Sequence, residues 1–372
     1  MNRFRFGHAA AADWRTAAAA CLSQLADGEG AAAGSLGFLY VTDFFADALP
    51  EISRHLAQET GIGHWTGTVG IGICATGTEY LDEPAMAVMI GDFPEGSFRV
   101  FRAESDPVRL QTLDLRCGTA PASIAVVHAD PLDGDIARKI RLLARRTESG
   151  FLVGGLASSR GGNMLLADSV ERSGLSGVAF SDAVTVATRL SQGCSPVGAV
   201  HEITGAQNNI VIELDGRPAL DVLREDVGIS AGEDLAQLGG QIFAGLAVSG
   251  SDTGDYVVRN LIGIDPGNRL LAIGDVARKG QGMRFCRRDR DTARADMARM
   301  LDSIREGLYT KPRGALYYSC LGRGGALFGG ESAELGMIRD ALGDVPLVGV
   351  FCNGEISHDR LYGYTGVLTL FV

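Results

Sequence analysis

The sequence predicts an α/β fold of mixed α+β type: two similar halves, mixed β-sheets packed together and helices outside, an αββα-like arrangement. Three observations predict it. Apolar runs of strand length alternate with amphipathic helical stretches along the chain. Segment 87–102 (AVMIGDFPEGSFRVFR) matches 270–288 (LLAIGDVARKGQGMRFCRR) around a shared Ile-Gly-Asp and a strand end that carries Phe and Arg in both, and a similar order of elements follows each. Glycine supplies 51 of 372 residues with no Gly-X-Y period and only 11 prolines, which excludes collagen and low-complexity disorder.

Residues 10–26 read as a helix with Trp14, Ala18, Cys21, Leu22 and Leu25 on one face, although Asp13 and Arg15 interrupt what would otherwise imitate a signal peptide. Segment 36–42 (LGFLYVT) reads as a strand, followed by a helix near 47–60 and strands at 68–74, 84–90 and 123–128. A helix at 135–149 leads to a strand at 150–156 that ends in the loop GGLASSRGGN. Segments 177–181 and 183–189 read as a hairpin, and Pro218 opens a helix at 218–225 after the Asp-Gly turn. Beyond lie a strand at 270–274, a helix at 289–308 with Met297, Leu301, Ile304 and Leu308 at helical spacing, a strand at 315–319, a helix at 331–342, and strands at 347–351 and 365–371.

Charge and cysteine usage bound the function. There are 34 basic and 45 acidic residues, net −11, and no basic stripe, which argues against nucleic acid. No apolar run reaches the roughly 18 residues of a membrane span. Seven scattered cysteines with no CxxC imply reduced thiols in a cytoplasm rather than a disulfide framework or zinc site.

Four glycine-rich loops follow strands and hold most of the informative polar residues: 73–79 with Thr76, 154–163 with Ser158 and Ser159, 319–325 with Cys320, Gly322, Arg323 and Gly324, and 351–356 with Asn353 and Glu355. Glycine there permits positive φ and close approach of a ligand. The run 315–371, above all CLGRG and PLVGVFCNGEISHDRLYGYTGVLTLF, resembles the C-terminal domain of FIST proteins. SQGCSPVG (191–198) and ELDGRPALDVL (213–223) resemble the end of the FIST N-terminal domain, while GICATG at 72–77 is a degraded form of that domain's first motif. The resemblance implies an N-terminal helical segment at 1–34, a FIST N-terminal domain at 35–224 and a FIST C-terminal domain at 225–372.

The resemblance further implies a sensory protein for a small ligand, an amino acid or similar metabolite, held where the loops of the two domains meet. Glu355 would take an ammonium, Asn353 a carboxylate or amide, and Arg323 a carboxylate through its planar fork. The plainer readings are an Asn-Gly turn for Asn353, with Glu355 paired to Arg360 or Arg323, and a buried ion pair for Arg323. Cys320 sits where backbone N–H groups could activate a thiol, or is a small buried apolar side chain. Ser158 and Ser159 beside Arg160 form either an anion-binding loop or ordinary turns.

Some relatives bind haem and sense nitric oxide, so non-covalent haem is an alternative, through one of six lone histidines at 8, 55, 64, 128, 201 and 358. A third reading is an interaction scaffold. No Walker, Gly-x-Ser-x-Gly or H-E-x-x-H template occurs, and 251–254 (SDTG) has no second copy, so no enzyme activity is expected. With the last strand ending at Val372, signalling is expected to run through a separate effector protein.

Overall fold

Three times along the chain a buried strand, a helical crossover and a second strand parallel to the first build one β-α-β unit. A computed structural model describes residues 4–26, 34–103, 106–229, 240–248 and 256–372. It divides into one unit of residues 1–191 and 298–372 and a second of residues 192–297. The SDTG segment at 251–254 lies outside the described residues.

In the first unit, repeat one runs β1 (Phe4–Ala10), α1 (Trp14–Ala26), β2 (Leu36–Thr42), a 3-10 turn and α2 (Leu49–Thr60), β3 (Trp65–Gly70), the hairpin β4 (Gly72–Ala75) and β5 (Thr78–Leu81), then β6 (Ala85–Gly91). Repeat two runs β7 (Phe98–Ala103), α3 (Pro107–Thr112), β8 (Ile124–Ala129), α4 (Ile136–Ala144), β9 (Phe151–Leu156), the hairpin β10 (Leu165–Ala167) and β11 (Ser169–Glu171), then β12 (Leu175–Phe180).

Repeat three opens with β13 (Val186–Ser191), and the chain then leaves for the second unit. That unit holds β14 (Ser195–Gln207), β15 (Ile210–Leu214), β16 (Arg217–Pro218), α5 (Ala219–Val227), β17 (Ile242–Ala247), β18 (Tyr256–Asp265), β19 (Leu270–Ile273) and β20 (Gly282–Arg287). Helix α6 (Arg290–Glu306) returns to β21 (Gly314–Cys320), α7 (Gly325–Phe328), α8 (Ala333–Leu342), β22 (Leu347–Cys352), the hairpin β23 (Glu355–Ser357) and β24 (Arg360–Tyr362), and β25 (Gly366–Phe371).

The three sheets of the first unit have one order. They are β1-β6-β2-β3-β10-β11, β7-β12-β8-β9-β23-β24 and β13-β25-β21-β22-β4-β5, each with a parallel central pair flanked by antiparallel strands. Each repeat gives its hairpin to another repeat's sheet: β4–β5 to the third, β10–β11 to the first, β23–β24 to the second. The exchange closes into a ring, so no sheet is completed by its own repeat. Parallel strands need cover on both faces. The inner faces supply it to one another through Phe38, Val126, Val178, Val348 and Val350 in a shared core, and α1 and α2 cover the outer face of the first sheet.

A glycine recurs at one register point of all three sheets. Gly67, Gly154 and Gly349 face Leu39, Val127 and Tyr317 across their parallel pairs. A Cβ at these positions would stand 1.7, 1.9 and 1.8 Å from those residues' carbonyl oxygens, so only glycine fits.

In the second unit, β14-β20-β17-β18-β19-β15 close back on β14 as an antiparallel ring. Ile203, Val211, Met283 and Phe285 fill it together with Leu220 and Leu223 of α5.

The mixed α and β architecture agrees with the sequence reading, with four corrections of detail. The 1–34 segment carries a strand, β1, before its helix. The strands at 177–181 and 183–189 form but do not pair, since β12 lies between β7 and β8 while β13 joins β25. The two Ile-Gly-Asp segments lie in unlike settings, β6–β7 of the first unit and β19–β20 of the ring; the repetition of topology is threefold, within the first unit. The expected boundary at 224/225 falls inside α5, and the compact units divide elsewhere.

Candidate functional site

Polar side chains collect where the parallel strands β21 and β22 end. Strand β21 alternates: Leu316 and Tyr318 enter the inner core, while Tyr317 and Ser319 face outward to Glu334 on α8. Glu334 is fully buried and accepts hydrogen bonds from Tyr317 Oη (2.5 Å), Ser319 Oγ (3.1 Å), Arg323 Nε (2.7 Å) and the Gly324 N–H (3.0 Å). Arg323 is 1% exposed; it also donates to the Tyr364 and Ser191 carbonyls and to Ser191 Oγ, with its guanidinium 5.0 Å from the Phe328 ring centroid. These partners hold Arg323 in a buried ion pair, which is the ion-pair reading rather than an open carboxylate fork.

Glu79 arrives on β5, the hairpin exchanged from repeat one. Its carboxylate accepts the N–H groups of Glu334 (3.0 Å), Leu335 (3.3 Å) and Gly325 (2.9 Å), so it caps the N-terminus of α8, where negative charge is favoured. Burial, and then the Glu334 charge, push its pKa up to about 7.

Glu355 opens β23 at full burial. Its Oε2 accepts from the Thr365 N–H (3.1 Å) and Oγ1 (2.7 Å), whereas Oε1 is buried without a hydrogen-bond partner. Burial raises its pKa to about 8, against the pull of the Thr365 bonds and the Arg323 charge. Cys320, partly exposed, lies close enough to feel this carboxylate, and burial together with that charge pushes its thiol up to about 12, against the opposing effect of the Gly322 and Tyr364 N–H groups.

The remaining expected residues divide. Gly322 and Asn353 are exposed at the rim of this cluster. Gly324 has φ +70°, and a Cβ there would approach Glu79 Oε2 to 3.0 Å. Thr76 and Ser158 are struts: Thr76 Oγ1 donates to the Val345 carbonyl (2.8 Å) and accepts from the Leu347 N–H (2.9 Å). Ser158 Oγ donates to the Phe351 carbonyl (2.6 Å) and accepts from the Ile71 N–H (3.0 Å). Ser159 Oγ accepts from the Gly161 N–H in a local turn, and Arg160 grips Asp43 and Asp82.

The sequence reading missed Glu79 and Glu334 as partners, and it missed a second node. Tyr40, His128 and Tyr318 stand at the same point on β2, β8 and β21, each one residue past the partner of a recurrent glycine. Their polar atoms meet in the shared core: Tyr40 Oη to Tyr318 Oη 2.7 Å, and His128 Nε2 to the two hydroxyls 3.0 and 3.4 Å. Burial lowers the His128 pKa to about 3, so the ring is neutral, and its Nδ1 has no partner.

The other histidines are also engaged: His8 with Tyr80, His55 with the Trp14 ring, His64 with Asp168, His358 with the Phe151 ring. His201 lies between Asp215 (2.7 Å) and Asp226 (2.9 Å), whose carboxylates outweigh burial and raise its pKa. Among the described residues no group of three or more His, Cys, Asp or Glu is set to hold a metal, and no helix is long and apolar enough to cross a membrane.

Comparison with known proteins gives two family matches and full-length relatives. An uncharacterized protein of Mycobacterium tuberculosis (strain ATCC 25618 / H37Rv) is 33% identical over 389 residues, covering 100% of both chains. An uncharacterized protein of Mycobacterium bovis (strain ATCC BAA-935 / AF2122/97) is 36% identical over 235 residues, 59% of this chain and 60% of that one. The FIST N domain model matches residues 35–217 and the FIST C domain model residues 219–358. The two matches between them cover most of the chain, both hairpin strands that carry Glu79 and Glu355 included: the protein belongs to the FIST family.

Proposed function

We propose that this protein is a sensor that binds a small metabolite bearing an ammonium group, an amino acid being the expected class, at Glu355. FIST domains are associated with sensory and signal-transduction roles, which supports the sensing half of this reading. The observation that carries the ligand half is Glu355 Oε1, a fully buried carboxyl oxygen with no hydrogen-bond partner beside the partly exposed Cys320. A buried polar atom left unpaired costs about 1–3 kcal/mol, which a donor from a ligand would recover.

In this reading the ligand ammonium meets Glu355, and the exposed Asn353 amide meets the ligand's carboxylate at the rim. Arg323 acts at one remove, as a fixed positive charge held by Glu334. The protein binds rather than catalyses and passes the signal to a separate effector.

A thermal-shift screen of amino acids and their amine and carboxylate fragments tests this. Stabilisation by amino acids and amines, lost in Glu355→Gln, supports it. A panel without hits, or a hit that stabilises Glu355→Gln as much as the parent, overturns it.

A further inference from the structure

The ends of β21 and β22 bring two cysteines side by side. Cys320 and Cys352 are direct register partners across this parallel pair. Side chains alternate along a strand. Leu316 and Tyr318 on β21, and Val348 and Val350 on β22, all point into the shared core, so Cys320 and Cys352 share that inner face. Neighbouring strands lie about 4.8 Å apart, within the roughly 4.4–6.8 Å Cα separation that a disulfide spans. The two thiols are close enough that the Cys320 charge adds to burial and to Glu355 in raising the pKa of Cys352.

Access to the two differs. Cys320 is partly exposed, while Cys352 is buried with its Sγ against the backbone of Gly155, where an added Cβ would stand 2.2 Å from the sulfur. Cys74, on the adjoining strand β4, lies opposite Gly349 between Ile73 and Ala75; those two face the core, so Cys74 points to the other side of the sheet. A single pairing is therefore available at this end of the sheet.

We infer that Cys320 and Cys352 form a reversible cross-strand disulfide, with Cys320 as the thiol that meets a peroxide and Cys352 as the thiol that resolves it. The Cys320 sulfur attacks one peroxide oxygen, the O–O bond breaks, and the departing hydroxide takes the thiol proton as water. Cys320 becomes a sulfenic acid. The Cys352 sulfur then attacks the Cys320 sulfur, the S–O bond breaks, and the hydroxyl leaves as water with the Cys352 proton. Two thiols are oxidised and one hydrogen peroxide is reduced to two waters. Because burial disfavours both thiolates, the first step is slow, and the disulfide once formed resists reduction better than one between acidic thiols.

The test uses the whole protein, exposed to hydrogen peroxide, quenched in acid, alkylated in denaturant and mapped by mass spectrometry. The expected product carries two fewer alkyl groups than the untreated protein. Its peptide containing Cys320 is joined to that containing Cys352, and dithiothreitol restores both sites. In Cys352→Ala the link is absent and a sulfenic-acid trap labels Cys320. Full alkylation after peroxide, a link between any other pair, or oxidation that stops at one cysteine in the parent protein overturns the inference. None of these readings depends on ligand binding at Glu355.

Discussion

Glu355 and Arg323 were both expected to face a ligand, and their surroundings separate them. Arg323 has its charge answered by Glu334, so removing it strands a buried carboxylate among Tyr317, Ser319 and Gly324. Arg323→Met should cost about 3–5 kcal/mol in urea unfolding; a loss below 1 kcal/mol would mean that Glu334 is otherwise compensated. Glu355 instead keeps a proton that an unfolded chain would release. Its pKa rises from an ordinary 4.5 to about 8 on folding, so its contribution to stability is full below pH 4.5 and is lost as pH climbs to 8. Glu79, raised to about 7, acts with the same sign. Urea midpoints measured across this range should fall with rising pH, and the fall should be shallower in Glu355→Gln; an equal slope in both proteins would contradict the assignment. Arg323 and Glu355 were legible as candidates in the glycine-flanked motifs. Glu334, which holds Arg323, and Glu79, which caps the helix carrying Glu334, were not, because they come from a helix and a distant hairpin whose sequences carry no mark of the meeting.

At the scale of elements, the close approach at Gly67, Gly154 and Gly349 makes a graded prediction. Each glycine-to-alanine change there drives a Cβ into a neighbouring strand's carbonyl and should cost at least about 1–3 kcal/mol. Gly336 on α8 has no atom within 4 Å of an added Cβ, and Gly336→Ala should stabilise by about 0.5–1 kcal/mol. Thermal or urea unfolding of the four variants checks the contrast, and equal effects would contradict it. Five of the six parallel strands were legible as apolar runs, whereas β3 (WTGTVG), broken up by threonines and glycines, was not, and the strand expected at 68–74 runs across its end into β4. The short hairpin strands were not: Glu355–Ser357 and Leu165–Ala167 have three residues each, too few for a period to show. Strand β14 escaped for another reason, since Ser195–Gln207 is largely exposed, glycine-broken and bulged, and so lacks a clean alternation.

For the molecule as a whole, the exchange of hairpins explains why half the site comes from sequence-distant segments. Glu79 belongs to repeat one but completes the sheet of repeat three, and Glu355 belongs to repeat three but completes the sheet of repeat two. A linear reading found repetition and placed it between two halves; the threefold pattern is hidden because the second unit interrupts repeat three between β13 and α6. The central claim is that Glu355 receives a cationic ligand group. The direct measurement is isothermal titration, at pH 7 in buffers of different ionisation enthalpy, with the amino acid that gives the largest thermal shift. A carboxyl with a pKa of about 8 is mostly protonated at that pH and must ionise to hold an ammonium. The account predicts net release of protons as ligand binds, abolished together with tight binding in Glu355→Gln. Binding without proton release, or undiminished binding by Glu355→Gln, would contradict it.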